Sequence, residues 1–172
     1  AGDAFAQRVQ AQQLGLHFQR LIQQRAVPVP FYGELGSQNP LFLLPDQLAQ
    51  HGDSFATALA QSVLLGNGQF CTRPGLVFVP EQAETPALLQ ALAASFNATS
   101  AVTLLTPKIA ESYRHGCALL NGLEGVTTAA MGSSEVGEAG CQVLPRLFVT
   151  EVALWSDLPQ LQQEIFGPAT VL

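Results

Sequence analysis

The chain has 172 residues with 13 acidic and 7 basic side chains, a formal net charge of −6 and 48% hydrophobic residues. That length suits one domain, or a domain plus an arm. A single lysine among seven basic residues excludes a nucleic-acid footprint, and the apolar content excludes a disordered chain.

From the amino end, Phe5, Val9, Leu14, Phe18, Leu21 and Ile22 keep helical spacing and predict one amphipathic helix over 4–25. Ala26-Val27-Pro28-Val29-Pro30 ends it in an extended linker, because proline disfavours helix at the residue before it. Leu41–Leu44 is a short apolar run. Asp53 is read as the cap of a helix that buries Phe55, Leu59 and Val63 and stops at Gly66. Leu76–Val79 is a second apolar run between Pro74-Gly75 and Pro80. Thr85-Pro86 and Thr106-Pro107 each read as a cap followed by proline at a helix start. Val102–Leu105 lies between those two helices as a third strand, and Ile109, Tyr113, Cys117 and Leu120 share the buried face of the second. Residues 123–140, rich in Gly, Ser, Thr and Glu, read as a surface loop. Strands are expected within 142–153 and over 169–172.

Short apolar strands separated by helices of this length indicate an α/β fold with a mainly parallel sheet flanked by helices. Neither GxGxxG nor GxxxxGK[ST] occurs, so the chain has no recognisable phosphate cradle of its own. The longest charge-free stretch, 85–107, is bracketed by prolines and contains Gln90, Ser95, Asn97 and Thr99, so it is not a membrane span. Cys71, Cys117 and Cys141 form no CxxC pair and no metal spacing; an odd, low count fits free thiols in a reducing cytoplasm. His17, His51 and His115 share no ligand spacing, and no metal site is expected. Charged residues make up only 12%, about half the usual share. Either the 18 glutamines supply the polar surface, or something beyond the chain covers apolar surface.

Three segments carry candidate chemistry. In Gly66-Asn67-Gly68-Gln69-Phe70-Cys71-Thr72-Arg73-Pro74-Gly75, a cysteine sits in a Gly- and Pro-rich turn between a helix and a strand. Glycines let backbone N–H groups approach a ligand, so a thiol there is open to activation; a small buried cysteine is the commoner alternative. In Phe31-Tyr32-Gly33-Glu34-Leu35-Gly36-Ser37-Gln38-Asn39-Pro40, Glu34 stands in an apolar neighbourhood. Burial there would raise its pKa toward that of a general base, whereas exposure would leave a solvated turn glutamate. Glu164-Ile165-Phe166-Gly167-Pro168 places an acid and an aromatic ahead of a sharp turn, and by itself reads as a helix end.

Together these segments resemble the aldehyde dehydrogenase superfamily. Glu-Leu-Gly-Ser-Gln-Asn-Pro at 34–40 is similar to its general-base motif, Gly-Gln-Phe-Cys-Thr at 68–72 to its cysteine motif, and Glu-Ile-Phe-Gly-Pro at 164–168 to its cofactor-ribose motif. The resemblance spans 28–172. It is greatest to the branch of 2-oxoglutarate semialdehyde and NADP-dependent fatty aldehyde dehydrogenases. It implies the family's catalytic-domain fold, truncated and lacking the cofactor-binding Rossmann-like domain. Residues 1–30 would then be a helix and linker remaining from that domain, and 31–172 a partial catalytic domain.

The roles implied by the resemblance are specific. Cys71 attacks the aldehyde and passes through a thiohemiacetal and a thioester, and its backbone N–H donates to the oxyanion. Glu34 activates the hydrolytic water. Glu164 holds the ribose of NAD or NADP, and Phe166 packs near the nicotinamide. Phe70, Thr72 and Arg73 are weaker substrate-binding candidates; Arg73 could meet a distal carboxylate or serve as a structural turn arginine. The expected partner is a small aldehyde, with no nucleic acid and no membrane, in a homo-oligomer. The chain by itself is expected to be inactive. Two alternatives are a non-catalytic scaffold that retains the motif and a cofactor-independent cysteine thioesterase.

Overall fold

The computed structural model describes residues 15–33, 35–36, 38–136 and 140–172. The chain divides into two compact units, Ala1–Ser37 and Gln38–Leu172. In the first, residues 15–23 form helix α1; the remainder of the helix expected over 4–25 falls mostly on 4–14, outside the described residues. The expected extended segment follows, with no regular structure over 28–33.

Among its described residues the second unit has seven strands and four α-helices. The strands are β1 (Pro40–Phe42), β2 (Leu76–Phe78), β3 (Val102–Thr103), β4 (Thr127–Met131), β5 (Gln142–Val143), β6 (Arg146–Val149) and β7 (Ala169–Val171). The helices are α2 (Pro45–Leu64), α3 (Thr85–Asn97), α4 (Pro107–Asn121) and α5 (Val152–Asp157). The main sheet has the order β1-β2-β7-β6-β4. Its first four strands are mutually parallel, and β4 runs antiparallel along β6 at the edge. β3 and β5 form a separate antiparallel pair. The main sheet is therefore the mainly parallel α/β sheet that the alternation of elements predicts.

Helices cover both faces of this sheet, and alternation along the strands sorts the core. Val77 and Leu147 point toward α2 and α3, where they pack with Leu59, Val63, Leu92 and Phe96. Their neighbours Leu76 and Phe148 point the other way, toward Tyr113, Cys117 and Leu120 of α4. Val77, Leu92, Phe96, Leu147 and Phe148 are fully buried. Each such side chain contributes roughly 1.5–3 kcal/mol by leaving water.

Four details differ from the sequence reading. Helix α2 begins at Pro45 rather than at Asp53, but His51 breaks its geometry with φ −136° and ψ 18°. Asp53 thus follows a kink instead of capping an isolated helix. At α3 the cap is Glu84, and Thr85 is the first helical residue. The Thr85 hydroxyl instead ties the preceding turn, donating to the Pro80 carbonyl at 2.6 Å and accepting from the Gln82 N–H at 3.1 Å. Within 123–140, residues 127–131 form β4 rather than loop, because their backbone groups pair with β6. The strand expected over 142–153 splits into β5, β6 and α5, with Pro145 separating the two strands. The Thr106 cap appears as expected, its hydroxyl accepting from the Ile109 N–H at 3.2 Å.

Candidate active site

Sheet topology explains why segments distant in sequence meet. The first segment leads into β1, the cysteine turn into β2, and Glu164-Ile165-Phe166-Gly167-Pro168 into β7. These strands are parallel neighbours, so their amino ends lie along one edge of the sheet. Gln38 and Asn39, the cysteine turn and the residues just ahead of β7 are thereby brought together.

The cysteine turn starts where α2 gives way to a 3-10 turn, Leu65–Gly68. Gly66, Asn67 and Gly68 all have positive φ (56°, 59° and 71°), which reverses the chain. Asn67 Nδ2 donates to the Thr103 carbonyl at 3.0 Å, and Gln69 Oε1 accepts from the Leu105 N–H at 2.8 Å. The turn is thereby braced by the segment between β3 and α4. Cys71, Phe70 and Thr72 stand exposed at its tip. An accessible thiol in a fixed turn is the arrangement a nucleophile needs, and the buried alternative does not apply. Cys117 is buried and Cys141 half-buried, and none of the three is disulfide-bonded.

Arg73, two residues after Cys71, is 4% exposed. Its guanidinium donates to the Ile165 carbonyl at 2.8 Å, to the Ala169 carbonyl, and to Pro74 O at 3.3 Å. Of its two proposed roles, this geometry supports the structural one: Arg73 locks the cysteine turn to the chain after Glu164.

Gly68 meets the same segment directly. A Cβ there would collide with the Gly167 carbonyl and the Pro168 nitrogen. On the opposite side, Tyr113 of α4 lies under Gly167, where an added Cβ would strike its ring. The Tyr113 hydroxyl donates toward Leu144 O (2.8 Å) and Pro168 O (3.2 Å). Burial raises the Tyr113 pKa well above 10.0, with Cys117 adding in the same direction and Arg146 and Arg73 opposing it, so the hydroxyl stays neutral.

Glu164 and Phe166 are half-buried on this segment. Where Gln38, Arg73, Gly75 and Glu164 converge, the remaining crevice is about 10 Å³, at the lower limit for one water molecule. Glu34 and Ser37 lie outside the described residues, so the general-base assignment has no geometry here. Among the described residues, no cluster of three or more His, Cys, Asp or Glu side chains could hold a metal, and no helix is long and apolar enough to cross a membrane.

No family model matches the chain. Over 162 residues it is 33% identical to alpha-ketoglutaric semialdehyde dehydrogenase 2 of Azospirillum brasilense, covering 94% of this chain and 30% of that protein. It is 32% identical over 162 residues to alpha-ketoglutaric semialdehyde dehydrogenase of Acinetobacter baylyi, covering 92% and 30%. The chain belongs to the aldehyde dehydrogenase superfamily. It spans about 30% of the length of these curated relatives. The fold agrees: a NAD-dependent benzaldehyde dehydrogenase from Corynebacterium glutamicum superposes with a TM-score of 0.73 at 21% identity, over 94% of this chain and 34% of that one. Within the superfamily, both curated relatives bear the name of the semialdehyde branch, alpha-ketoglutarate and 2-oxoglutarate being one compound.

Gln38, Asn39 and Tyr113 were not singled out as site residues in the sequence. Gln38 and Asn39 stand inside the first segment, and only their partners in space distinguish them from an ordinary polar turn.

Proposed function

We propose that this chain carries the nucleophile, hydrolytic base and ribose-side contacts of an NAD(P)-dependent aldehyde dehydrogenase that forms carboxylic acids. The observation that carries this reading is the exposed Cys71 in a turn locked, through Gly68 and Arg73, to the segment bearing Glu164 and Phe166.

A half-buried carboxylate can accept hydrogen bonds from the hydroxyls of a ribose, and a half-buried aromatic ring can pack against the attached base. Glu164 and Phe166 would therefore hold the nicotinamide riboside end of NAD or NADP. When bound, the nicotinamide accepts a hydride.

Cys71 Sγ, as thiolate, adds to the aldehyde carbon, and the carbonyl oxygen becomes the thiohemiacetal alkoxide. The Cys71 backbone N–H donates to that oxygen. When the alkoxide re-forms its carbonyl and the carbon gives up its hydride, the product on Cys71 is a thioester. Glu34 takes a proton from water, the hydroxide adds to the thioester, and Cys71 leaves as thiolate with the acid released. A covalent intermediate divides one difficult oxidation into two easier steps. Glu34 favours hydrolysis, because transfer to coenzyme A requires no water-activating base.

2-Oxoglutarate semialdehyde is the proposed substrate, and the cytoplasm the proposed location. A homo-oligomeric assembly is proposed for the full-length protein, as the resemblance to the superfamily implies.

Mass spectrometry of a full-length protein carrying this chain, quenched during turnover of aldehyde and NAD(P)⁺, tests the reading. An acyl adduct on Cys71 is expected. Turnover of an activated ester without cofactor, with no cofactor-dependent aldehyde oxidation, would favour the thioesterase. Absence of any Cys71 modification would favour the scaffold.

A further inference from the structure

We propose that Gln38 and Asn39 are positioning residues, a pair of adjacent side-chain amides that fixes the cysteine turn against the ribose-side segment. The inference rests on the roles proposed above for Cys71 and Glu164, but its geometry stands independently.

The two amides face different loops. Gln38 Nε2 donates to the Leu161 carbonyl at 3.0 Å and the Gln163 carbonyl at 2.8 Å. Both hydrogens of that amide are thus used on the stretch that ends at Glu164. Asn39 Nδ2 donates to the Cys71 carbonyl and to the Arg73 carbonyl at 3.2 Å. The Gln38 backbone carbonyl accepts from the Gly75 N–H at 2.8 Å, closing the far end of the cysteine turn. Consecutive Cα atoms are about 3.8 Å apart. Two loops about 90 residues apart in sequence are therefore tied to one dipeptide.

Asn39 also has φ 47°, a left-handed conformation that asparagine tolerates better than most residues. This backbone choice turns its side chain to the cysteine turn while Gln38 reaches the other way. Glutamine and asparagine suit the task because an amide nitrogen supplies two donors, and the four bonds just described all end on carbonyl oxygens. A carboxylate of the same shape would present only acceptors to acceptors.

Hydrogen–deuterium exchange on the protein, resolved by segment, tests the pairing through Gln38→Glu and Asn39→Asp. Asn39→Gly is a second variant, since glycine accepts the positive φ without strain. Both Asn39 variants should raise exchange in 71–75 by about fivefold and in 161–169 by clearly less, the residual rise passing through Arg73. Gln38→Glu should do the reverse. In turnover assays of a full-length protein carrying this chain, Gln38→Glu should raise KM for NAD(P)⁺ with kcat nearly unchanged, and Asn39→Gly should lower kcat with little effect on KM. Equal exchange increases in both loops and in α3, or no increase at either loop, would overturn the proposal, as would the opposite KM and kcat pattern. The exchange result needs neither aldehyde nor cofactor. Absent turnover would therefore count against the proposed reaction while leaving the positioning pair to be judged by exchange.

Discussion

Gly68 and Gly167 meet backbone to backbone, so the turn that carries Cys71 and the turn that follows Phe166 occupy space no side chain could share. Both residues have positive φ, 71° and 140°. Gly68→Ala therefore adds left-handed strain and a collision with main-chain atoms that cannot swing aside. A loss of about 2–5 kcal/mol is expected, read as a lower urea midpoint. A change below about 0.5 kcal/mol would show that the two turns can separate.

Arg73 separates its two assignments by what its replacement damages. Arg73→Lys keeps the charge, but one ammonium cannot reproduce a fork that reaches the Ile165 and Ala169 carbonyls together. Stability should fall by about 1–3 kcal/mol, since buried acceptors lose their donor. Normal stability with a raised KM for a carboxylated aldehyde, and an ordinary KM for an uncharged one, would instead assign Arg73 to the substrate.

Tyr113 predicts alkaline behaviour. Its folded pKa is raised above 10.0, chiefly by burial, so only the unfolded chain can release the proton near pH 10. The stability linked to this group is fully present below pH 10.0 and is lost as pH rises from there through the folded value. Tyr113→Phe should cost about 1–2 kcal/mol at neutral pH, because the Leu144 and Pro168 carbonyls lose a donor. Above pH 10 its stability should decline less steeply than that of the parent, as measured by urea unfolding across pH. Parallel declines would remove Tyr113 as the source.

Glu34→Gln should slow thioester hydrolysis more than its formation, since an amide cannot take a proton from water. In a full-length protein carrying the chain, a stoichiometric first turnover followed by slow release is expected, with the acyl group retained on Cys71. A uniform slowing with no retained adduct would argue against Glu34 as the base.

The 172-residue chain by itself is expected to bind no NAD(P)⁺ at millimolar concentration by calorimetry, because it contains no recognisable phosphate cradle. Light scattering should show self-association through the exposed Leu65, Phe70 and Leu105 surface. A monomer that reduces NAD(P)⁺ would contradict both the inactivity and the association.

Local chemistry was legible in the amino-acid order. Alternating apolar runs and helical faces marked most strands and three helix faces, because burial on a sheet or helix repeats at short, regular spacing. Thr106-Pro107 marked a helix start because its hydroxyl acts on an N–H three residues away. The motifs around Glu34, Cys71 and Glu164 pointed to the superfamily through residue type and order alone. What the sequence could not express was contact between distant segments. β4, built from Thr127-Thr128-Ala129-Ala130-Met131, has too little apolar contrast to announce itself and exists through its hydrogen bonds to β6. Arg73 looked equally like a substrate ligand and a turn residue until the carbonyls of Ile165 and Ala169, more than 90 positions away, closed around it. Gln38 and Asn39 became a clamp only because β1, β2 and β7 lie side by side and parallel, which brings these two residues to one edge with the cysteine turn and the stretch ahead of β7. Spacing along the chain encodes which face a residue shows; strand order in the sheet decides which distant residue it meets.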